Sequence, residues 1–127
     1  MSTYVLDASA VLALIFGEPG GDYVADRLEQ ARISSVNWSE VGAKVAERGG
    51  DLARFLDEMR ASPLIITPFD REQAEQAALL RRTTRAQGLS LGDRACLALA
   101  KAHSATALTT DGDWAKLDVG ISVQLIR

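Results

Sequence analysis

Seventeen carboxylates stand against a single histidine and a single cysteine in this chain of 127 residues, so the acids are its main resource for chemistry. Four of them fall at telling places. Asp7 directly follows the β-prone run Tyr4-Val5-Leu6, Glu40 lies four residues beyond Val36, and Asp111 follows the run from Ala107 to Thr110. Ligands of an open α/β sheet bind outside the carboxyl ends of its strands, which places these three acids at one rim. Asp93 lies in the first turn of an apolar helix with no strand before it, and periodicity alone does not carry it there. Partly buried like charges repel, and a divalent cation is the natural remedy. Ligands that are all oxygen suit Mg²⁺ or Mn²⁺, which acidify a bound water and stabilise charge on a phosphodiester. Each acid also occupies a place where acids cap helices or complement the helix dipole, and spacing alone does not choose between the two roles.

The elements that must position these acids are legible as short apolar strands alternating with helices. After the strand at Tyr4–Leu6, the stretch from Ala8 to Phe16 reads as a buried helix stopped by Gly17. Asp22 to Ala31 reads as a helix and Ile33 to Val36 as a strand. Asn37 then opens a helix with Trp38, Val41 and Val45 on one face and Glu40 roughly opposite. Leu52, Phe55, Leu56 and Met59 mark another amphipathic helix, Leu64 to Thr67 a strand, and Asp70 to about Gln87 a long helix opened by a capping box. Ser90 caps the apolar helix that carries Asp93, and Ile121 to Ile126 supplies a last strand. Strands apolar without alternation imply an α/β fold whose mainly parallel sheet is covered on both faces.

Composition narrows the field. The length suits one domain over residues 1–127, and the 47% hydrophobic and 24% charged fractions suit a folded one. A net charge of −3 lacks the basic footprint of a general duplex-DNA binder. Cys96 alone permits no internal disulfide and fits a reducing compartment, and His103 alone leaves no histidine pair for a metal. The apolar run Val5 to Phe16 is too short to span a bilayer and contains Asp7, so no membrane role and a cytoplasmic location are expected. A phosphoacceptor module would want an adjacent acid pair after an early strand, and a haloacid-dehalogenase-like phosphatase a second Asp two residues after Asp7. Neither is present.

Five segments in order carry a resemblance: Tyr4-Val5-Leu6-Asp7-Ala8-Ser9-Ala10, Glu18-Pro19-Gly20, Asn37-Trp38-Ser39-Glu40-Val41, the stretch from Leu89 to Ala100, and Leu108-Thr109-Thr110-Asp111. Together they resemble a PIN-domain ribonuclease, and more narrowly the VapC-type toxin of a bacterial toxin–antitoxin pair. The resemblance implies a three-layer α/β/α domain and a metal-dependent endoribonuclease using one or two Mg²⁺ or Mn²⁺ ions. Its acidic quartet maps onto Asp7, Glu40, Asp93 and Asp111, with Asp7 and Asp93 as the expected direct ligands. Glu40 and Asp111 would position metal-bound water or a second ion. Ser9 and Thr110 would be hydroxyls supporting the metal site, and Asp113 an extra acid that some members carry.

Cations must offset these acids if RNA is to approach, and Arg81, Arg85 and Arg94 are the candidates. Trp38 is expected in the core or at an interface rather than stacked on a base. The resemblance further implies a homodimer and a cognate antitoxin whose C-terminal segment covers the cleft, with an antitoxin arginine reaching the acids. A non-catalytic PIN-like module that binds RNA or protein is the alternative.

Overall fold

A computed structural model describes residues 3–127. Five parallel strands, β1 (Tyr4–Leu6), β2 (Ala31–Ser34), β3 (Ile65–Thr67), β4 (Thr106–Thr109) and β5 (Val123–Leu125), form one sheet in the order β3-β2-β1-β4-β5. The chain steps outward from β1 to β3 and then returns to place β4 on the other side of β1. The switch point between β1 and β4 is where such a sheet opens a crevice.

The helices are α1 (Ala8–Ile15), α2 (Gly21–Ala25), α3 (Ser35–Glu47), α4 (Leu52–Arg60), α5 (Arg71–Thr84) and α6 (Leu91–Ala102). Strand alternation divides the core into two layers. Val5 and Ala107 face a cluster built with Ala77, Leu80 and Leu97 of α5 and α6, closed by Trp114. Leu6, Ile33 and Leu108 face the opposite cluster with Val11 of α1 and Val41 of α3. Both faces of the central strands β1 and β4 are covered, and the result is the expected three-layer α/β/α arrangement. Among the described residues no helix is long and apolar enough to cross a membrane.

Several boundaries differ from the sequence reading, the last strand shrinking from Ile121–Ile126 to Val123–Leu125, and three of the differences have a clear local reason. The expected helix from Asp22 to Ala31 ends at Ala25. The Arg27 guanidinium takes the Tyr23 carbonyl at 3.0 Å, a 3-10 turn follows at Leu28–Gln30, and Ala31 pairs with Tyr4 as the first residue of β2. The expected strand Ile33–Val36 stops at Ser34 because the Ser34 hydroxyl accepts from the Val36 N–H and caps α3. Asn37 is therefore inside α3 rather than its cap. The long helix after Asp70 ends at Thr84, with a 3-10 turn to Gln87 before Gly88 at φ +62°.

The turn Glu18-Pro19-Gly20 is fixed by close approach. Gly20 has φ +94°, and a Cβ there would meet the Ile126 carbonyl at 2.5 Å, so only glycine fits.

Candidate functional site

The C-terminal ends of β1 and β4 open into a cleft of about 420 Å³ lined by Asp7, Glu40, Asp93 and Asp111 together with Ser9, Asn37 and Thr110. The four acids of the sequence reading thus reach one cleft, Asp93 included.

Asp7 is its foundation. It ends β1, caps α1 by accepting from the Ala10 N–H at 2.9 Å, and is only 6% exposed. Its Oδ1 also accepts from the Ser9 hydroxyl at 2.6 Å, and its Oδ2 accepts from the Thr109 hydroxyl at 2.5 Å. Burial raises its pKa from 3.8 to about 6. Hydrogen bonds from Ser9, Thr109 and Ala10 pull it down, and the charge of Asp93 adds to the rise.

The two hydroxyls continue into the β4 end. Ser9 Oγ accepts from the Thr110 N–H at 3.0 Å, and Thr109 Oγ1 accepts from the Asp111 N–H at 3.1 Å. Asp111 in turn accepts from the Asp113 N–H at 2.9 Å, so its carboxylate is held at the turn. The β4 end thereby fixes the acid that follows β1, and Ser9 ties the β4 end back through the Thr110 N–H.

Asp93 arrives by a different route. It forms a capping box with Ser90, donating its N–H to the Ser90 hydroxyl and accepting from the Ser90 N–H at 3.0 Å. The start of α6 is brought to the cleft by α3: the Asn37 amide donates to the Gly92 carbonyl at 2.9 Å. That amide also donates to Glu40 Oε1 at 2.9 Å. Beneath the cleft, burial pushes the Cys96 thiol up, and the charges of Asp7, Asp93 and Glu40 push it the same way. The three acids therefore act on one point of the core.

The remaining candidates lie elsewhere. Arg81 and Arg85 are exposed at the end of α5 and its following turn. Arg94 is half-buried and donates to the Ala77 carbonyl at 3.0 Å, fastening α6 to α5. Asp113 is exposed and stands 4.0 Å from Lys116. Trp38 lies against Phe55 with ring centroids 5.6 Å apart, as a core residue does.

Two residues escaped the sequence reading. The hydroxyl on Asp7 belongs to Thr109 as well as Ser9, whereas Thr110 contributes its backbone N–H. The signal was available: a threonine in a strand buried on both faces must find a partner, and pairing Leu6 with Leu108 sets Asp7 opposite Thr109. Asn37 gave little signal: Glu40 lies three residues on in the same helix, but the second partner, the Gly92 carbonyl, comes from another helix.

The donor set is entirely oxygen, and this fits a hard divalent cation. Among the described residues no three acids already stand close enough to grip one ion.

The PIN domain family model matches residues 4–120. No curated protein matches the chain. Among solved structures, a toxin–antitoxin complex from Klebsiella pneumoniae superposes with a TM-score of 0.76 at 21% identity, covering 98% of each chain. DNA-bound VapBC from Salmonella typhimurium gives 0.77 at 14% identity over 100% of each chain. Mycobacterium tuberculosis VapC20, a sarcin-ricin loop cleaving toxin, gives 0.75 at 17% identity, covering 93% of this chain and 95% of its own. At such identities the likeness is one of fold, and the family match adds the ancestry: the chain belongs to the PIN domain family.

Proposed function

We propose that the chain is a metal-dependent endoribonuclease, the toxin of a type II toxin–antitoxin pair. The observation that carries this is the convergence of Asp7, Glu40, Asp93 and Asp111 on one cleft at the sheet's switch point, with Asp7 buried against the charge of Asp93. Burying an acid beside another acid is costly unless a cation shares the site. The fold likeness to toxins of toxin–antitoxin complexes agrees with it.

A bound Mg²⁺ or Mn²⁺ supplies an acidified water and charge stabilisation on the scissile phosphate. Asp7 and Asp93 would hold the ion, with Ser9 and Thr109 fixing the orientation of the Asp7 carboxylate. Glu40 and Asp111, both exposed on the cleft, would orient the attacking water and accept its proton. The turn from Asp111 to Asp113 holds that second acid in place. No histidine or cysteine is needed.

RNA enters from solvent, and the exposed Arg81 and Arg85 offset the repulsion between its phosphates and the acids. Arg81→Ala together with Arg85→Ala is expected to weaken RNA binding roughly tenfold at low salt and to lower the steepness of its salt dependence. Filter binding over a salt series checks this; unchanged affinity and slope would remove both arginines from the substrate path. Arg94 serves the α5–α6 contact instead, a role closer to packing than to RNA.

The proposed partners are a cognate antitoxin, whose arginine would neutralise the acids and exclude the ion, and a second copy of the chain. The cytoplasm, where RNA is available, is the proposed location. Induced expression in a bacterial host tests the function: growth should arrest with the wild type, continue with Asp93→Asn, and recover when the antitoxin is co-expressed. Sequencing of new RNA 5′ ends should show discrete cleavage sites. RNA binding without cleavage would instead support a non-catalytic module.

A further inference from the structure

Glu40 is the one cleft acid that belongs to no turn or cap. It projects from α3 and is exposed, so its carboxylate needs something outside its own backbone to hold it. Two features do so, one on α3 itself and one on the facing α6. The Asn37 amide, 1% exposed, donates at 2.9 Å both to Glu40 Oε1 and to the Gly92 carbonyl of α6. Those two acceptors fix which end of the amide carries the nitrogen. On the other side, Gly92 leaves the space the carboxylate occupies: a Cβ there would lie 2.6 Å from Glu40 Oε2 and 2.7 Å from its Cδ.

We infer that Asn37 and Gly92 together form the seat of the Glu40 carboxylate, with Asn37 a positioning residue that acts through Glu40. The inference rests on the metal-centre reading above and deepens it. The Asn37 side chain adds an independent sign: the residue lines the cleft, and its Oδ1 is buried with no hydrogen-bond partner among the described residues. A buried amide oxygen without a donor is costly in a folded protein, and a water in the cleft would supply the missing donor. The Asn37 side chain thus joins the Glu40 carboxylate to the α6 backbone beside it.

Mn²⁺ binding to the purified full chain by titration calorimetry tests this with four proteins: wild type, Asn37→Ala, Glu40→Gln and the double variant. Asn37→Ala should weaken Mn²⁺ binding about tenfold, as loss of an outer partner of a metal site does. If it acts through Glu40, the double variant should bind no more weakly than Glu40→Gln alone. Gly92→Ala provides a second route, since alanine favours the helix and the three atoms nearest its Cβ all belong to the movable end of Glu40. It should weaken Mn²⁺ similarly while its metal-free melting temperature stays at or above that of the wild type, so it answers even if Asn37→Ala folds poorly. Losses that add in the double variant, or wild-type Mn²⁺ affinity in Gly92→Ala, overturn the inference and leave the nuclease reading standing. Absence of Mn²⁺ binding by the wild type overturns both.

Discussion

Asp7→Asn is expected to raise the stability of the metal-free protein while removing RNA cleavage. In the folded chain Asp7 has a pKa of about 6 against 3.8 for an unperturbed carboxyl. Between those values the folded state holds a proton that the unfolded state has lost. The stability this group contributes is therefore fully present below about pH 4, is lost as pH rises through 6, and is absent at pH 7. A shift of that size is worth on the order of 3 kcal/mol as an upper bound. Asparagine removes the charge and keeps the shape. Its Oδ1 still accepts from Ser9 and Ala10, and its Nδ2 donates to Thr109 Oγ1, although the Thr109 hydroxyl then needs a new acceptor.

The net gain at pH 7 is expected at about 1–2 kcal/mol, roughly 3–8 °C in melting temperature for a domain of this size. The gain should shrink towards zero near pH 4. Addition of Mg²⁺ should stabilise the wild type by mass action and leave the variant unmoved. Cleavage should fall by more than about 100-fold, beyond the range typical of outer partners. Calorimetric melts from pH 4 to 7, with and without Mg²⁺, check the stability half. A variant that melts lower than wild type at pH 7 in EDTA would show that Asp7 serves as a cap and nothing more.

Thr109→Val is expected to produce the second large effect. The substitution is nearly isosteric, and the site is fully buried. It strips the donor from Asp7 Oδ2 and the acceptor from the Asp111 N–H at once. Leaving a buried carboxylate oxygen and a part-buried N–H unpaired costs about 1–3 kcal/mol, and misplacing two acids lowers cleavage about 10- to 100-fold. Because the Thr109 hydrogen bond holds the Asp7 pKa down, its loss should also move the acid limb of the pH–rate profile upward. Thr110→Val should do far less, since Thr110 acts on Ser9 through its backbone N–H. Equal losses in the two variants would mean that the hydroxyl order at the end of β4 has been misassigned.

That pair of threonines shows how far the sequence could be read. Strand ends, helix starts and the three acids that follow strands are local properties, fixed by apolar runs and by caps such as Ser90, so Asp7, Glu40 and Asp111 were visible at the rim. Which threonine faces Asp7 depends on the register between β1 and β4, which are about 100 residues apart in sequence. Asp93 was placed by motif resemblance, and its physical reason is the Asn37–Gly92 hydrogen bond between α3 and α6, a tertiary contact without periodicity. The shortening of the second helix is a similar case, where pairing of Ala31 with Tyr4 overrides helix propensity. Arg94 illustrates the converse. Its place beside Asp93 in sequence suggests a phosphate contact, whereas successive helical residues point in different directions and its guanidinium reaches α5.

The central claim is that the acidic cleft hydrolyses RNA with a divalent cation, and cleavage of total bacterial RNA by the purified, antitoxin-free chain tests it most directly. Wild type and Asp93→Asn would be incubated in Mg²⁺, in Mn²⁺ and in EDTA, with RNA 5′ ends mapped in each. The account predicts discrete fragments from the wild type with either metal, none in EDTA, and none from Asp93→Asn. Fragments that persist in EDTA or from folded Asp93→Asn would contradict it.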